Sequence, residues 1–492
     1  MLTALFRTKG VDAATADAEA SEHKLKRSLG VIELTALGIG AVIGAGIFSA
    51  PGSAAAGAEG RLPAGPALVI SYILVAVACG FAALCYAELA SVVPVSGSAY
   101  TYAYVTLGEV VAWIIGWDLI LEYAVGNVAV AVSWADYFRT LLANLGLHLP
   151  AWLSTTLNHA RETPGLFEAA PHLFGIPIVL NLPAGAIVAA LTVLLVVGVQ
   201  ESSRVNTVMV ALKLTIVVGF VLVGAFYVKP EHWVPFAPYG VRGILSGAAI
   251  IFFAYIGFDA VSTTAEEAKN PQRDIPRAMI ATLAICTVLY IAVTLVLTGM
   301  VPWQQLGVGD PLAKALDGAG LQRLAGVLSF GAVIALTAVL LVFQLGQPRI
   351  FMVMARDGLL PPWAAKVHPR FRTPYVTTIL TGIFVGVPAM FVDINEAIEF
   401  TNIGTLFAFV LVSLGVLVLR RTKPDQPRPF RCPGVPWVPL AAVLSCGILM
   451  AYLPLITWMR FVVWQVLGVA LYFLYGRRHS RLRLQAAAEA RG

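Results

Sequence analysis

Apolar runs of 18 or more residues recur from one end of this 492-residue chain to the other, and they fix its environment before any motif is read. Each run is long enough to cross the roughly 30 Å of bilayer hydrocarbon as a helix. Twelve are predicted, over 33–57, 66–93, 108–137, 183–199, 206–228, 243–266, 277–301, 324–348, 375–391, 397–420, 436–454 and 460–476. Composition says the same. Hydrophobic residues make up 59% of the chain, charged ones only 12%, and the mean hydropathy is +0.82. A soluble domain of this size could not cover so much apolar surface. The expected fold class is an all-α integral membrane protein with about 12 transmembrane helices.

Charge sets the orientation. The first thirty residues mix signs (Arg7, Asp12, Glu19, Lys24, Lys26, Arg27) and have no apolar core, unlike a secretory signal peptide, so the N-terminus is expected to stay in the cytoplasm. Twelve spans then return the C-terminus to the same side. Basic residues gather in the loops this assigns to the cytoplasm, as at Lys269, Arg273 and Arg277 or at Arg420, Arg421 and Lys423, and in the tail at Arg477, Arg478, Arg481 and Arg483. The opposite loops hold only scattered ones, such as Arg61, Arg161 and Lys229. The net charge of +6 thus follows from topology in the cell (inner) membrane and calls for no nucleic acid. The five cysteines are dispersed without metal spacing, and His148, His159 and His172 read as part of a packed outer loop over 138–182. No cofactor or metal is called for.

Two spans differ from the Leu, Val and Ala of the rest. The first reads Gly38-Ile-Gly-Ala-Val-Ile-Gly-Ala-Gly-Ile-Phe48, with four glycines in nine residues near mid-bilayer. Each glycine weakens a helix by roughly 1 kcal/mol relative to alanine, so the stretch can unwind. Unwound backbone is tolerated at that depth only where it lines an enclosed cavity. The sixth span, Ile251-Phe-Phe-Ala-Tyr-Ile-Gly-Phe-Asp-Ala-Val261, is interrupted by Gly257 and Asp259. Spans one and six are equivalent members of two five-helix halves, and matched interruptions point to an inverted-repeat transporter with a midplane site. The expected divisions are a cytoplasmic segment 1–30, repeats over 31–228 and 242–420, two extra helices over 436–476 and a cytoplasmic tail 477–492. A broken helix offers unpaired N–H groups that suit a carboxylate and unpaired C=O groups that suit an ammonium. An α-amino acid carries both. Close packing through the Gly40/Gly44 pair is the competing account of the first span alone.

The chain resembles bacterial members of the cationic amino acid transporter family, within the amino acid–polyamine–organocation (APC) superfamily. The matching stretches are Gly38–Phe48, Pro94-Val-Ser-Gly-Ser-Ala-Tyr-Thr-Tyr-Ala-Tyr104, Gly116-Trp-Asp-Leu-Ile-Leu-Glu-Tyr123, Phe252–Pro276, Met354-Ala-Arg-Asp-Gly-Leu-Leu-Pro361 and Asn402-Ile-Gly-Thr-Leu406. The resemblance implies a five-plus-five inverted repeat with discontinuous helices 1 and 6, two further helices, and alternating access to a central site. It places the substrate carboxylate on the backbone of Ile43, Gly44, Ala45, Gly46 and Ile47. The amino group falls to the carbonyls of Phe253, Ala254 and Ile256. Where family members often carry a hydroxyl, this chain has Ala45, so the carboxylate contact is left to backbone. The family's pocket positions on span eight fall near Val339, Leu340 and Phe343, and a bulky Leu340 would shorten the pocket. That favours small neutral amino acids such as alanine over arginine or lysine.

Ionisable residues inside spans are functional candidates by default. Lys213 stands about 12 Å deep at 1.5 Å per residue, and snorkelling to the interface is its bland reading. In proton-coupled relatives the matching lysine contacts carbonyls of the unwound first helix, which marks Lys213 as the proton-coupling residue. Asp118 and Glu122, four apart on one face, and Asp259 read as polar pathway residues or as buried structural carboxyls. The run Glu266, Glu267, Lys269, Arg273 and Asp274 reads as a solvated helix end, and Glu88 is set against Arg349 or Arg356 as a gate pair. The partners expected are an L-amino acid, protons and membrane lipid, with room left for a small single-span membrane protein of unknown identity. A channel would need a polar stripe or filter ring, and an enzyme a catalytic set; the sequence has neither. An exchanger uses the same site as a symporter and stays open.

Overall fold

The computed structural model describes residues 7–11, 29–58, 60–95, 97–162, 164–198 and 203–484, without the side chains of 162, 173, 176, 203–206 and 266. Asp12, Glu19, Lys24, Lys26, Arg27, the Glu266 side chain and the last eight residues of the tail lie outside the described residues.

Among the described residues, long apolar stretches fold into twelve helical spans. α1 is a pair, Val31–Val42 (α1a) and Ala45–Ala56 (α1b), bent by 55°. α2 is Leu68–Val92, α3 Glu109–Asn144, α4 Leu182–Val197, α5 Ser203–Gly224, and α6a Gly240–Ile251 with α6b Asp259–Glu267. Then follow α7 Pro271–Met300, α8 Gln322–Arg356, α9 Tyr375–Ala389, α10 Ile394–Thr422, α11 Trp437–Ala451 and α12 Leu455–Leu471. Eight spans pass a length and apolarity test alone, the bent α1 pair makes a ninth, and α4, α9 and α11 are shorter apolar helices. α3 and α8 outrun their predicted ends at 137 and 348 because the mostly apolar residues that follow, interrupted only by single charges such as Arg139 and Arg349, continue the helix. The segment 138–182 is not plain loop: it carries helix Leu157–Glu162 and a two-residue antiparallel pair, His172–Leu173 with Ile176–Pro177.

Packing follows a two-fold scheme. α2 lies on α7, α3 on α8 and α4 on α9. Other contacts fall in pairs related by adding five: α1a–α5 with α6a–α10, α1a–α7 with α6a–α2, α5–α8 with α10–α3. Each half has an odd number of spans, so the second starts from the opposite face and the repeat is inverted. Helix α11 packs on α2 and α10, and α12 packs on α10 and α3, outside this scheme.

A helix Ser98–Thr106, unassigned from the sequence, packs on α3, α10 and α6b. Both described ends of the chain meet on that face. Lys9 pairs with Asp357 at 3.0 Å, Tyr100 donates to the same carboxylate at 2.7 Å, and the Arg481 N–H donates to the Asp357 carbonyl at 3.0 Å.

Candidate substrate-binding site

The first break follows from its glycines. α1a ends at Val42, Ile43 turns extended (φ −77°, ψ 94°), and Gly44 (φ −146°, ψ −142°) starts α1b. Every helix end leaves carbonyls that need donors. Here the Ile43 N–H satisfies Ile39, and the Tyr290 hydroxyl of α7 reaches Val42 O at 3.1 Å. Lys213, only 1% exposed, places its ammonium 2.6 Å from Gly40 O and 3.3 Å from Ile43 O. On the other side of the break, the N–H groups of Gly44, Ala45 and Gly46 have no acceptor among the described residues. Ile47 differs, since its N–H is taken by Gly44 O at 3.1 Å.

The second break is held differently. α6a passes into a tight turn, Phe252–Tyr255, and the chain becomes extended at Ile256 before Gly257 (φ +108°), where a Cβ would press on the Ala41 backbone at 3.2 Å. The Asn402 amide of α10 donates to Ala249 O at 2.8 Å and Ile250 O at 3.0 Å. Of the three carbonyls assigned to the amino group, Phe253 O accepts from Ile256 N–H at 3.3 Å and Ala254 O from Tyr290 at 2.7 Å. Ile256 O has no donor among the described residues. One tyrosine hydroxyl thus stands between the two breaks.

The breaks touch at Gly46, where an added Cβ would lie 2.2 Å from Ala254 Cα. Beside this contact is a small cavity, about 10 Å³ and so room for about one water. Its floor is Gly44, Ala45 and Gly46; its walls include Gly126 and Val130 of α3, Phe253, Ile256, and Val339 and Phe343 of α8. Leu340 is not on this wall. Asn127 reaches its carbonyl at 3.5 Å, and the side-chain filling assigned to Leu340 falls to Val339 and Phe343 on the neighbouring faces of the helix. A larger cavity of about 680 Å³ opens beyond α1b, away from the chain ends, and is lined by the ion pairs Arg61–Glu399 and Arg460–Glu396. Between the two, Ser49 Oγ meets Ser133 Oγ and Gly309 O at 2.5 Å each, and Tyr137 donates to Phe48 O at 2.6 Å.

The carboxyls are spread out. Asp259 accepts from Ser98 at 3.4 Å, a residue held at φ +49° at the start of the Ser98–Thr106 helix. Glu122 has the Thr405 hydroxyl and Asp259 as polar neighbours. Asp118 accepts from Gln465 of α12, and none of Asp118, Glu122 and Asp259 lines either cavity, so the pathway reading of the three has no cavity contact behind it. The gate pair proposed for Glu88 is not formed with Arg349 or Arg356. Glu88 lies at the end of α2 against α10, and Arg420 (2.7 Å) and Arg428 (3.4 Å) bind it, while Asp357 is the acidic partner at the end of α8. In the charge run, Glu267 O and the Lys269 N–H bracket Leu29 at 3.0 and 2.8 Å, tying the start of α1a to the end of α6b.

Tyr290, Asn402, Tyr137 and the Ser49–Ser133 contact carry no role in the sequence reading. A lone tyrosine in the apolar run of α7 was a visible signal, since a phenol buried in lipid needs an acceptor. Asn402 opens the Asn402–Leu406 stretch, but its partner is 153 residues away.

A broken-helix pair facing one cavity, within a five-plus-five helical repeat, is the architecture of a transporter rather than an enzyme. The chain belongs to the amino acid permease family, whose pattern it matches over residues 29–476. It is 48% identical over 483 residues to a branched-chain amino acid permease of Bacillus subtilis, covering 98% of this chain and 100% of that one. It is 47% identical over 481 residues to the methylthioribose transporter of the same organism, at 98% and 100% coverage. The vacuolar cationic amino acid transporter 4 of Arabidopsis thaliana is 39% identical over 430 residues, covering 86% of this chain and 68% of that protein.

Proposed function

We propose that this amino acid permease carries small neutral L-amino acids such as alanine, coupled to protons, by alternating access across the cell membrane with both termini in the cytoplasm. The observation that carries the reading is the arrangement of free backbone groups and wall around one cavity. The N–H groups of Gly44, Ala45 and Gly46 take the carboxylate, and Ile256 O, with the second lone pairs of Phe253 and Ala254 O, takes the ammonium. The wall that receives the side chain (Val130, Phe253, Ile256, Val339, Phe343) holds no ionisable group, which disfavours arginine and lysine. The two Bacillus relatives are almost equally similar and carry names for different cargo, so identity does not choose the substrate. The wall does. Uptake of labelled alanine into proteoliposomes, competed by alanine, leucine or arginine, checks this; strong competition by arginine alone overturns it.

Lys213 supplies the coupling in this reading. Its ammonium makes charge-assisted hydrogen bonds to two carbonyls freed by the first break, and loss of its proton reduces them to ordinary ones. The bend of α1 then loosens where the substrate binds. An inward pH gradient should drive alanine accumulation. Counterflow without such accumulation would instead make the protein an exchanger.

A further inference from the structure

We propose that Gly126 of α3 sets the length of the substrate side chain and keeps room for a branched aliphatic one; this rests on the neutral-substrate reading above. Glycine inside a helix costs roughly 1 kcal/mol against alanine, so a buried glycine in the 36-residue α3 needs a reason. Most buried glycines here have a steric one. A Cβ at Gly46 would lie 2.2 Å from Ala254 Cα, at Gly116 2.8 Å from Met354 Cε, and at Gly346 2.6 Å from a Tyr123 ring carbon.

Gly126 has no such clash. A Cβ there would meet Thr401 Cγ2 at 3.4 Å and Phe253 Cε2 at 3.9 Å, both ordinary contacts, and its backbone is helical. Packing would accept alanine and helix propensity would prefer it. What the methyl would take is space on the cavity wall, because Gly126 lines the cavity one turn from Val130. The glycine thus preserves volume that no protein atom uses. The cavity holds only about 10 Å³, and Phe253 and Phe343 are the largest side chains on it, so a substrate enters by displacing those rings toward their margins. The end of its side chain then lies against Gly126. Among the neutral aliphatic amino acids, valine, leucine and isoleucine reach that space and alanine does not.

One methylene in an apolar pocket changes discrimination by about 10-fold or more. Gly126→Ala should therefore lower the ratio of leucine to alanine uptake about tenfold, measured with the full-length protein in proteoliposomes by counterflow. Its thermal midpoint should equal or exceed wild type. Val130→Ala, which enlarges the same wall, should move the ratio the other way. Wild-type protein that carries both amino acids, with a ratio within twofold in either variant, overturns the assignment of Gly126 and leaves the neutral reading intact. Wild-type protein that carries neither overturns the neutral reading first, and this inference with it.

Discussion

The two helix breaks perform one task with different chemistry. At the first, freed carbonyls are capped by an ammonium, Lys213, and by a tyrosine hydroxyl. At the second they are capped by the Asn402 amide and the same hydroxyl, that of Tyr290. An amide holds its hydrogen bonds at any physiological pH. An ammonium can lose a proton, and with it the stronger form of its hydrogen bonds. In the proposed mechanism the second break is a fixed bracket and the first is the adjustable one, and the asymmetry of an otherwise symmetric repeat is where coupling resides.

Replacing Lys213 with alanine should have the largest effect. Accumulation of alanine under an inward pH gradient should fall at least tenfold, while counterflow persists, and accumulation at the wild-type level would refute the coupling role. Next comes the contact that joins the breaks. Gly46→Ala drives a methyl into the Ala254 backbone, which cannot swing aside, and overpacking of this kind costs about 1–3 kcal/mol. A lowered thermal midpoint with lost uptake is expected; a wild-type midpoint would mean the two segments are not in contact.

Asn402→Ala leaves the Ala249 and Ile250 carbonyls without their donor, at about 1–2 kcal/mol. Unlike the lysine change, it should lower stability without altering how uptake depends on pH. A changed pH profile in this variant would erase the distinction between the breaks. Tyr290→Phe should be mildest, at about 1 kcal/mol, because its single hydroxyl proton is shared between two acceptors. Its use is to sharpen the comparison: if one hydroxyl links the breaks, the double variant with Lys213→Ala should be less than additive in thermal unfolding.

Much of this was legible in the chain. Twelve apolar stretches, glycines at 38–46 and the Gly257–Asp259 interruption were enough to place both breaks, because hydrocarbon demands continuous helix and punishes every exception. Side-chain direction was less legible. On a helix, Val339, Leu340 and Phe343 are neighbours whose facing turns on about 100° per residue, and the cavity chose the first and third. Glu88 shows the same limit for charge. Any of several arginines in the loops could have met it, and the packing of α2 on α10 selected Arg420 and Arg428 over Arg349 and Arg356.

Sequence alone determined that the chain lives in a bilayer, where its helices break, and that backbone rather than side chains is offered to a ligand there. Those are local properties, set by runs of residues and by the absence of water to satisfy an open N–H or C=O. Tertiary structure decided who completes each break: Lys213 is about 170 residues from the carbonyls it caps and Asn402 about 150 from its own. It also decided that Ile256 O, of three carbonyls, has no donor among the described residues, and that a methyl at Gly126 would meet its neighbours at ordinary contact distance rather than clash. Such pairings depend on how helices distant in sequence cross, and a linear pattern of hydropathy carries no information about crossing.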